Sequence, residues 1–412
     1  MARYVEDEYE YEDERPRKKS SSGSKGSGKK PSGSKGGSKK SSGKGNGSKK
    51  SSGGKGGSKK SSSKKQQAKK QRRRIIIFIV EIIILLIAVF VLYGVLTTTK
   101  SGKVDLDEGD IIINDTVKEA QETTMKGYRN IALFGVDSTS GALTKNTRSD
   151  TIMIASINQD TGECKLVSVY RDTYLNLSND SYNKCNAAYA KGGPEMAISM
   201  LNMNLDMNIT DFVTVGFAGL TDTIDALGGV YIDVDNSEIS HLNNYQLCIA
   251  EDLKRSYTPV SSTGYQLLDG LQATGYCRIR YTAGDDFKRA ERQREVLAAV
   301  ADQAKKASLP KLTETASAVF DETYTSLDLN EIIEMLGSVN TYYISDTAGF
   351  PQESNRATGT IGSKGSCVIP INLEDNVKWL HQFLFNDYDY EPSATVKACS
   401  DQIYKDTNGY LK

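Results

Sequence analysis

The chain has 412 residues with 52 acidic and 52 basic side chains, so its formal net charge is zero. The two signs are separated: residues 1–74 carry 24 Lys and Arg against 7 Asp and Glu, which leaves 28 basic and 45 acidic residues downstream. This asymmetry indicates a cationic tail joined to a separate acidic globular body. The chain has only two histidines, neither in a catalytic-looking context, and no GxxxxGK[ST] motif, which argues against a Ser–His triad, a histidine-rich metal site and a P-loop enzyme.

Residues 1–74 are predicted to be a disordered tail. An acidic leader (Glu6–Glu14) precedes four Lys/Ser/Gly decamers over residues 21–60, which contain almost no apolar side chain. Such a segment cannot offset its chain entropy by burial. Its lysines would suit anionic lipid or nucleic acid, but a solvated tail loosely attracted to the membrane is the favoured interpretation.

Residues 75–96 are predicted to be a transmembrane anchor. Ile75–Leu96 is apolar apart from Glu81 and is long enough to cross a bilayer. Arg72–Arg74 and the other basic residues lie on its N-terminal side, so the N-terminus is expected in the cytoplasm and the rest of the chain outside. A cleaved signal peptide fits less well, because the charged region is very long and no small-x-small cleavage site follows.

The remainder is divided into a stalk (97–124), a globular domain (125–389) and a polar C-terminal tail (390–412). Short β-branched runs alternate with helical patterns through the domain, which predicts an α/β fold with a central mixed sheet and helices on both faces. The predicted strands are Ile131–Val136, Thr151–Ile157, Lys165–Val169, Phe212–Phe217, Val230–Val234 and Arg278–Tyr281. The predicted helices are Asn186–Lys191, Glu195–Asn204, Gly219–Leu227, Leu267–Tyr276 and Phe287–Ala307.

The cysteines and methionines of the outer region leave two questions open. None of the six cysteines has zinc-site spacing, and Cys248–Cys277 and Cys367–Cys399 are candidate disulfides in an oxidising compartment. Residues 196–209 are rich in methionine, whose flexible thioethers would suit a slot for a hydrocarbon chain. A helix face in the core is the more ordinary explanation and is favoured.

Crowded arginines point to a phosphate ligand. Arg278 and Arg280 share one face of a predicted strand, and three residues share one face of the following helix: Arg289, Arg292 and Gln293. Guanidinium groups crowded in this way repel one another unless an anion lies between them, and their planar forks match phosphate oxygens. We therefore predict a site for a multiply charged phosphate, beside which Asp286 lies.

Two aspartates follow or precede predicted strands close to further arginines. Asp137 follows the first strand and Asp150 precedes the second. If the two strands are neighbours, both carboxylates meet at one sheet edge, where they would suit Mg²⁺. Taken singly, each aspartate is explained as a turn or cap residue. Arg148 faces the same side as Asp150 in an extended segment, and Arg171 emerges where the third strand ends. Five arginines and two aspartates together would suit a pyrophosphate bound with one Mg²⁺ ion. They are Arg148, Arg171, Arg278, Arg280 and Arg289, with Asp137 and Asp150.

Several of these segments, in order, resemble the motifs of the LytR–CpsA–Psr family. The matching segments are Asn130–Asp137, Arg148–Thr151, Arg171–Thr173, Lys184–Gly193, Asp222–Val230 and Leu268–Arg294. The resemblance covers roughly residues 125–389 and implies a three-layer α/β/α domain of that family. It also implies an enzyme outside the cell membrane that moves a glycopolymer, such as teichoic acid or capsular polysaccharide, from a polyprenyl-pyrophosphate carrier to peptidoglycan.

The resemblance assigns a role to each candidate residue. It implies that Asp137 and Asp150 hold Mg²⁺ and that Asp286 orients or assists. It implies that the pyrophosphate is held by Arg148, Arg171, Arg278, Arg280, Arg289 and Gln293, with Arg292 on the same helix face. A membrane-bound regulator and a lipid pyrophosphatase are the alternative functions, and no folded nucleic-acid module is recognised in the tail.

Overall fold

A computed structural model describes residues 103–411 except 105, 107, 138–142, 145–146, 281 and 283. The predicted tail, residues 1–74, and the predicted anchor, Ile75–Leu96, lie outside the described residues. Among the helices that the structure does describe, none combines the length and apolar character needed to cross a bilayer.

A mixed sheet forms the centre of the fold, as the sequence predicts, and it has six strands. Its order is β10-β3-β2-β1-β6-β9; β1 runs parallel to β6 and β10 parallel to β3, whereas the other neighbouring pairs are antiparallel. The strands are β1 (Tyr128–Val136), β2 (Ser149–Asn158), β3 (Glu163–Val169), β6 (Asp211–Val215), β9 (Thr323–Thr325) and β10 (Tyr343–Phe350). Short pairs are formed by β4 (Tyr174–Asn176) with β5 (Tyr182–Lys184), β7 (Val230–Val234) with β8 (Gly264–Leu268), and β11 (Arg356–Thr360) with β12 (Ser366–Pro370).

Helices pack on both faces of the sheet. In β2, Ile152 and Ile154 belong to the main core, whereas Met153 and Ala155 belong to a smaller cluster on the opposite face, as strand alternation requires. The main core is shared with α1 (Asp115–Gln121), α2 (Asn186–Leu205), α9 (Leu373–Phe385) and α10 (Ala394–Asp406), and the smaller cluster with α6 (Asp285–Lys306). The predicted arrangement of helices on both sides of a mixed sheet is therefore confirmed.

A second core lies beside the sheet. It joins the hairpin β7–β8 to α6 through buried residues that include Val230, Leu268 and Val296. The elements around it are α3 (Phe217–Ala226), α4 (Ile239–Leu253) and α5 (Gly270–Tyr276), while α7 (Leu309–Val319) and α8 (Leu329–Gly337) follow α6. This core supports the loop between α5 and α6, which carries several candidate site residues.

Both segments assigned to flanking regions are instead part of the packed domain. In the described part of the predicted stalk, Ile111 and Val117 are buried in the main core. In the predicted tail, α10 buries Val396, Cys399 and Ile403 in the same core. The sequence interpretation missed α10 because its apolar residues are few, although their spacing of three and four residues is that of a helix face.

Two predicted elements near the site differ from the structure. The helix predicted from Leu267 begins at Gly270, because Asp269 and Gln272 form a capping box and Leu267 belongs to β8. The strand predicted from Arg278 is wrong for residues 278–280. These residues continue the end of α5 as a turn, in which the amide of Arg278 donates to the carbonyl of Gly275 and that of Ile279 to Tyr276.

The sulfur-containing residues are explained by packing. All six cysteines are free thiols, so the candidate disulfides Cys248–Cys277 and Cys367–Cys399 are wrong. The methionine-rich segment is core: Met200 and Met207 are fully buried. Inside α2, Gly193 has a non-helical backbone conformation (φ 69°, ψ −158°), and two helical segments meet there at a kink. The break predicted at Gly192–Pro194 is therefore confirmed.

Candidate active site

A β-bulge positions Asp150 at the end of the central sheet. Gly135 pairs with Thr151 and Val136 with Ser149, so Asp150 is the extra residue in β2. Bulges of this kind redirect a side chain at the margin of a sheet. Because β1 and β2 are antiparallel neighbours, Asp137 and Asp150 lie at the same end of the two strands, as the sequence predicts.

Arg171 follows the end of β3 and reaches two acidic side chains. Its Nη1 lies 2.7 Å from Asp150 Oδ1, and its Nε lies 3.2 Å from Asp286 Oδ2. Asp172 is a weaker partner, with an Nε–Oδ2 distance of 3.6 Å, and it also pairs with Lys184 at 3.1 Å. One guanidinium therefore ties the bulge in β2 to the first turn of α6.

The first turns of α6 supply one acidic and one basic side chain, Asp286 and Arg289, to this cluster of ion pairs. Asp286 Oδ1 lies 3.3 Å from Arg289 Nη1, and Arg289 Nη2 donates to the main-chain carbonyl of Asp150 at 3.3 Å. Only 5% of the Arg289 side chain is exposed. The spacing of three residues along the helix brings Asp286 and Arg289 onto one face, which is the face directed at the sheet end.

Arg278 and Arg280 both reach the site, although their backbone is a turn. Arg280 lies 3.4 Å from Asp150 and 3.6 Å from Asp286. Arg278 lies 3.9 Å from Asp137, and its guanidinium carbon lies 4.4 Å from the ring centroid of Phe217. Both side chains point to the same end of the sheet, as predicted. The predicted cause, alternation along a strand, is wrong because the backbone is a turn.

The cluster has an excess of positive charge. Three guanidinium groups, those of Arg171, Arg280 and Arg289, share the carboxylates of Asp150 and Asp286. Burial, followed by the charge of Arg171, lowers the pKa of Arg289 to about 10. Its Nε is buried and has no hydrogen-bond acceptor among the described residues. An anion placed beside Arg289 would relieve both the repulsion and the missing hydrogen bond.

The two shared carboxylates stay ionised. Burial raises the pKa of Asp150, but Arg171 and Arg289 outweigh it and hold that pKa below its usual value. The pKa of Asp286 is lowered in the same way: burial opposes the shift, and the charges of Arg289 and Arg171 exceed it. These carboxylates therefore orient the arginines as fixed anions and are not proton donors at neutral pH.

The structure does not bring Arg292 and Gln293 into this cluster. Arg292 is 1% exposed; its Nε donates to Glu238 at 2.7 Å, and its Nη1 donates to the carbonyl of Ile279 at 3.2 Å. Gln293 donates to the carbonyl of Cys277 at 3.4 Å. Both residues brace the loop that carries Arg278 and Arg280. Helical spacing placed them near the site but did not reveal that they turn toward the backbone.

Arg148 lies at the start of β2 with an exposed side chain. It makes no hydrogen bond or ion pair with another residue in the described part of the chain. Residues 138–142 and 145–146, which precede Arg148, lie outside the described residues. A role for Arg148 in holding a ligand therefore stays a prediction.

The donor set fits the Mg²⁺ ion that the resemblance implies. The Asp137 side chain is 48% exposed, and its one ion pair among the described residues is the 3.9 Å contact with Arg278, while Asp150 lies at the same strand end. The residues that the structure describes contain no group of three or more His, Cys, Asp or Glu able to hold a metal without help. Mg²⁺ bound with a phosphate needs only one or two carboxylates, so the assignment of Asp137 and Asp150 stays a prediction.

Two contributors to the site carried no clear signal in the sequence. Glu238 forms the buried ion pair with Arg292 across 54 residues of chain, a separation that no local pattern connects. Phe217, the first residue of α3, provides the ring beneath Arg278, an arrangement that favours a cation. Its position was predicted as the last residue of a strand.

The fold and the clustered arginines define an α/β protein with a cationic cluster at one end of its central sheet. The chain belongs to the LytR_cpsA_psr family, whose model matches residues 92–360.

Relatives of the chain include proteins named as transferases and as regulators. It is 30% identical over 206 residues to a polyisoprenyl-teichoic acid–peptidoglycan teichoic acid transferase, TagU, of Enterococcus faecalis, covering 49% of this chain and 63% of that one. It is 28% identical over 303 residues to the biofilm regulatory protein A of Streptococcus mutans, covering 65% and 72%. The match to TagU thus spans less than two thirds of that relative.

A solved structure has the same fold. It is the LytR-CPS2A-psr family protein YwtF (TagT) with bound octaprenyl pyrophosphate lipid, which aligns with a TM-score of 0.50 and 21% identity. The alignment covers 70% of this chain and 100% of that one. The similarity places the described domain in the fold of this family.

Proposed function

We propose that this chain transfers a glycopolymer from a polyprenyl-pyrophosphate carrier to peptidoglycan and forms a phosphodiester bond. The observation that carries the proposal is the cluster in which three arginines share two ionised carboxylates and retain excess positive charge. A diphosphate is the ligand whose charge and oxygen geometry complement such a cluster. The name of the TagU relative and the lipid in the TagT structure support the same substrate class.

The proposed reaction needs positioning and charge stabilisation more than proton transfer. A sugar hydroxyl of the acceptor attacks the phosphorus next to the glycopolymer, and polyprenyl phosphate leaves. Arg171, Arg280 and Arg289 bind the phosphate oxygens and stabilise the negative charge that develops on them. Asp150 and Asp286 fix the guanidinium groups in place before substrate arrives, so little reorganisation is needed.

Mg²⁺ is part of the proposal. Bound to Asp137 and Asp150, it would neutralise charge on the diphosphate. The acceptor hydroxyl must also lose its proton, and the two shared carboxylates, Asp150 and Asp286, are already paired with arginine. Asp137, which is half exposed and weakly paired, is the carboxylate best placed to accept it.

The proposed location follows from the substrate. A lipid-linked donor requires membrane attachment, and a peptidoglycan acceptor requires the domain to lie outside the cell membrane. The apolar segment Ile75–Leu96 and the basic residues before it supply that topology in the proposal, with the N-terminus in the cytoplasm.

The test uses the full-length protein in detergent with a polyprenyl-pyrophosphate-linked saccharide and Mg²⁺. We expect the wild type to release polyprenyl phosphate and Arg289→Ala to lose about a hundredfold or more in rate. Arg129→Ala is the matched control, because it removes an arginine–aspartate pair at the other end of β1, where Arg129 Nη2 lies 2.9 Å from Asp211. Equal rates in wild type and Arg289→Ala would contradict the proposal.

Two further functions are separated by the same assay. The Streptococcus mutans relative is named as a regulatory protein, and a regulator acting through the basic tail should fail when residues 1–70 are deleted, whereas a transferase should keep its rate. A pyrophosphatase would use water, so omission of peptidoglycan would leave its saccharide product unchanged. A transferase would form the glycan-linked product only with peptidoglycan present.

A further inference from the structure

A cavity of about 790 Å³ lies on the other side of the loop that carries Arg278 and Arg280. Its walls are the outer face of the hairpin β7–β8, the start of α4 and a face of α6. Thr282 and Arg292 line it, and Arg292 is the residue that binds the carbonyl of Ile279. The cavity is therefore next to the arginine cluster but distinct from it.

An exposed pair of tyrosines forms one wall. In β7 and β8 the burial alternates, so that Tyr231, Asp233, Tyr265 and Leu267 point away from the core. The ring centroids of Tyr231 and Tyr265 lie 5.3 Å apart with an interplanar angle of 20°. Tyr231 is 42% exposed and Tyr265 is 73% exposed. The pair therefore presents aromatic surface to solvent on the side of the cavity.

The opposite wall is polar. From α6 it presents Glu295, Asp302, Gln303 and Lys306, and Lys306 Nζ lies 5.7 Å from the ring centroid of Tyr231. Carboxylates and a side-chain amide opposite an aromatic surface supply hydrogen bonds to one edge of a ligand whose flat face stacks on the rings. A sugar ring has this combination of an apolar face and a rim of hydroxyl groups.

The charge of the cavity selects among saccharides. Five lining side chains are acidic and three are basic, and the buried pair Arg292–Glu238 neutralises itself. Those remaining are Asp233, Asp235, Glu295 and Asp302 against Lys288 and Lys306. A net negative cavity repels a phosphate-rich polymer, whereas the arginine cluster beside it attracts one.

We propose that this cavity binds a neutral oligosaccharide, which in the reaction is the glycan of the acceptor, with a sugar ring stacked on the exposed ring of Tyr265. The inference rests on the proposed transferase function and assigns a site to its second substrate. An acidic cavity for an uncharged glycan and a cationic cluster for the diphosphate keep the two substrates apart. The loop of Arg278 and Arg280, braced by Arg292, connects the two sites.

The probe is chitotetraose, an uncharged oligosaccharide, titrated into the full-length protein in detergent by calorimetry. We expect saturable binding that Tyr265→Ala weakens about tenfold or more. Tyr388→Ala is the matched control, because Tyr388 is also 73% exposed but does not line the cavity. Absence of binding in the wild type, or equal affinity in the wild type and Tyr265→Ala, would overturn the inference.

A second ligand tests the charge argument. A glycerol phosphate oligomer of similar length should show no binding that depends on Tyr265. Binding of this anion that is tighter than that of chitotetraose, and lost in Tyr265→Ala, would also overturn the inference.

The outcome is separable from the proposed function by measuring release of polyprenyl phosphate on the same preparation. Release without chitotetraose binding leaves the transferase proposal standing and removes the acceptor site. Binding of chitotetraose without release of polyprenyl phosphate leaves the oligosaccharide site standing and contradicts the transferase proposal.

Discussion

Arg171 Nη1 lies 2.7 Å from Asp150 Oδ1, a contact that joins the end of β3 to the bulge in β2. The same guanidinium reaches Asp286 on α6 through Nε at 3.2 Å. Three elements of the fold are thus held by one planar group with donors in fixed directions. The geometry depends on arginine in particular, because an ammonium group cannot reproduce two separate directed contacts.

Replacement of Arg171 should separate charge from geometry. We expect Arg171→Lys to retain a positive charge yet lose at least about tenfold in the rate of donor cleavage, since one ammonium nitrogen replaces two donor nitrogens held at a fixed spacing. Arg171→Ala should lose about a hundredfold or more. Steady-state release of polyprenyl phosphate measures both, and a fully active Arg171→Lys would mean that only charge matters here.

Inorganic pyrophosphate should stabilise the folded protein through Arg289. The buried guanidinium has a pKa lowered to about 10 and an Nε without an acceptor among the described residues. An anion that binds the native state at a hundred times its Kd adds about 2.7 kcal/mol to stability. We expect a rise in Tm for the wild type and for Arg129→Ala, and a much smaller one for Arg289→Ala. An equal rise in all three would place the anion elsewhere.

The free energy of unfolding should fall in acid as the carboxylates of the site become protonated. Burial raises the pKa of Asp286, but the charges of Arg289 and Arg171 outweigh it and hold that pKa below its usual value. A carboxylate with a lowered folded pKa adds stability that is present above pH about 4 and is lost as pH falls through the folded pKa. Asp286→Asn should therefore be less stable at pH 6 and depend less on pH below 4.

Thermal unfolding across pH 6 to 2.5 measures this effect. Asp321→Asn is a control, because Asp321 is an exposed acidic residue outside the cluster. If Asp286→Asn kept the acid dependence of the wild type, the carboxylate would not be paired in solution.

Local patterns in the sequence predicted the sheet and the composition of the site more accurately than its geometry. β9 and β10 of the central sheet were not predicted. β1, β2 and β3 were located to within a few residues, and Val230–Val234, in the separate β7–β8 hairpin, was predicted with its observed bounds. These strands are short runs of β-branched residues between turn signals, where local preference and burial agree. The neighbouring positions of β1 and β2 also brought Asp137 and Asp150 to one end, as predicted.

The errors concern interactions that are distant along the chain. The backbone of Arg278–Arg280 is a turn because α5 ends there. Arg292 faces inward because it forms a buried ion pair with Glu238. Neither fact follows from the spacing of arginines on a helix. Periodicity shows which residues share a face but does not show what that face meets, so a structural arginine and a ligand-binding arginine look alike.

The Arg292–Glu238 pair should be a structural brace. Arg292 and Glu238 have side chains that are 1% and 6% exposed and an Nε–Oε1 distance of 2.7 Å. Arg292→Met leaves a buried carboxylate unpaired, which should cost about 3 kcal/mol or more. The double variant Glu238→Leu with Arg292→Met should recover part of that stability without recovering donor cleavage, because the Ile279 carbonyl still lacks its donor. Urea unfolding and cleavage rates test this; full recovery of both would exclude a positioning role.

The C-terminal helix should be needed for the stability of the domain. Ile403 in α10 is fully buried and packs in the main core together with residues of the central sheet. Ile403→Ala should cost about 3 kcal/mol by leaving a cavity, whereas Tyr404→Ala, which alters a side chain that is 51% exposed, should cost much less. Urea unfolding measures both. If Ile403→Ala were as stable as the wild type, residues 390–411 would be the loosely attached tail that their polar composition first indicated.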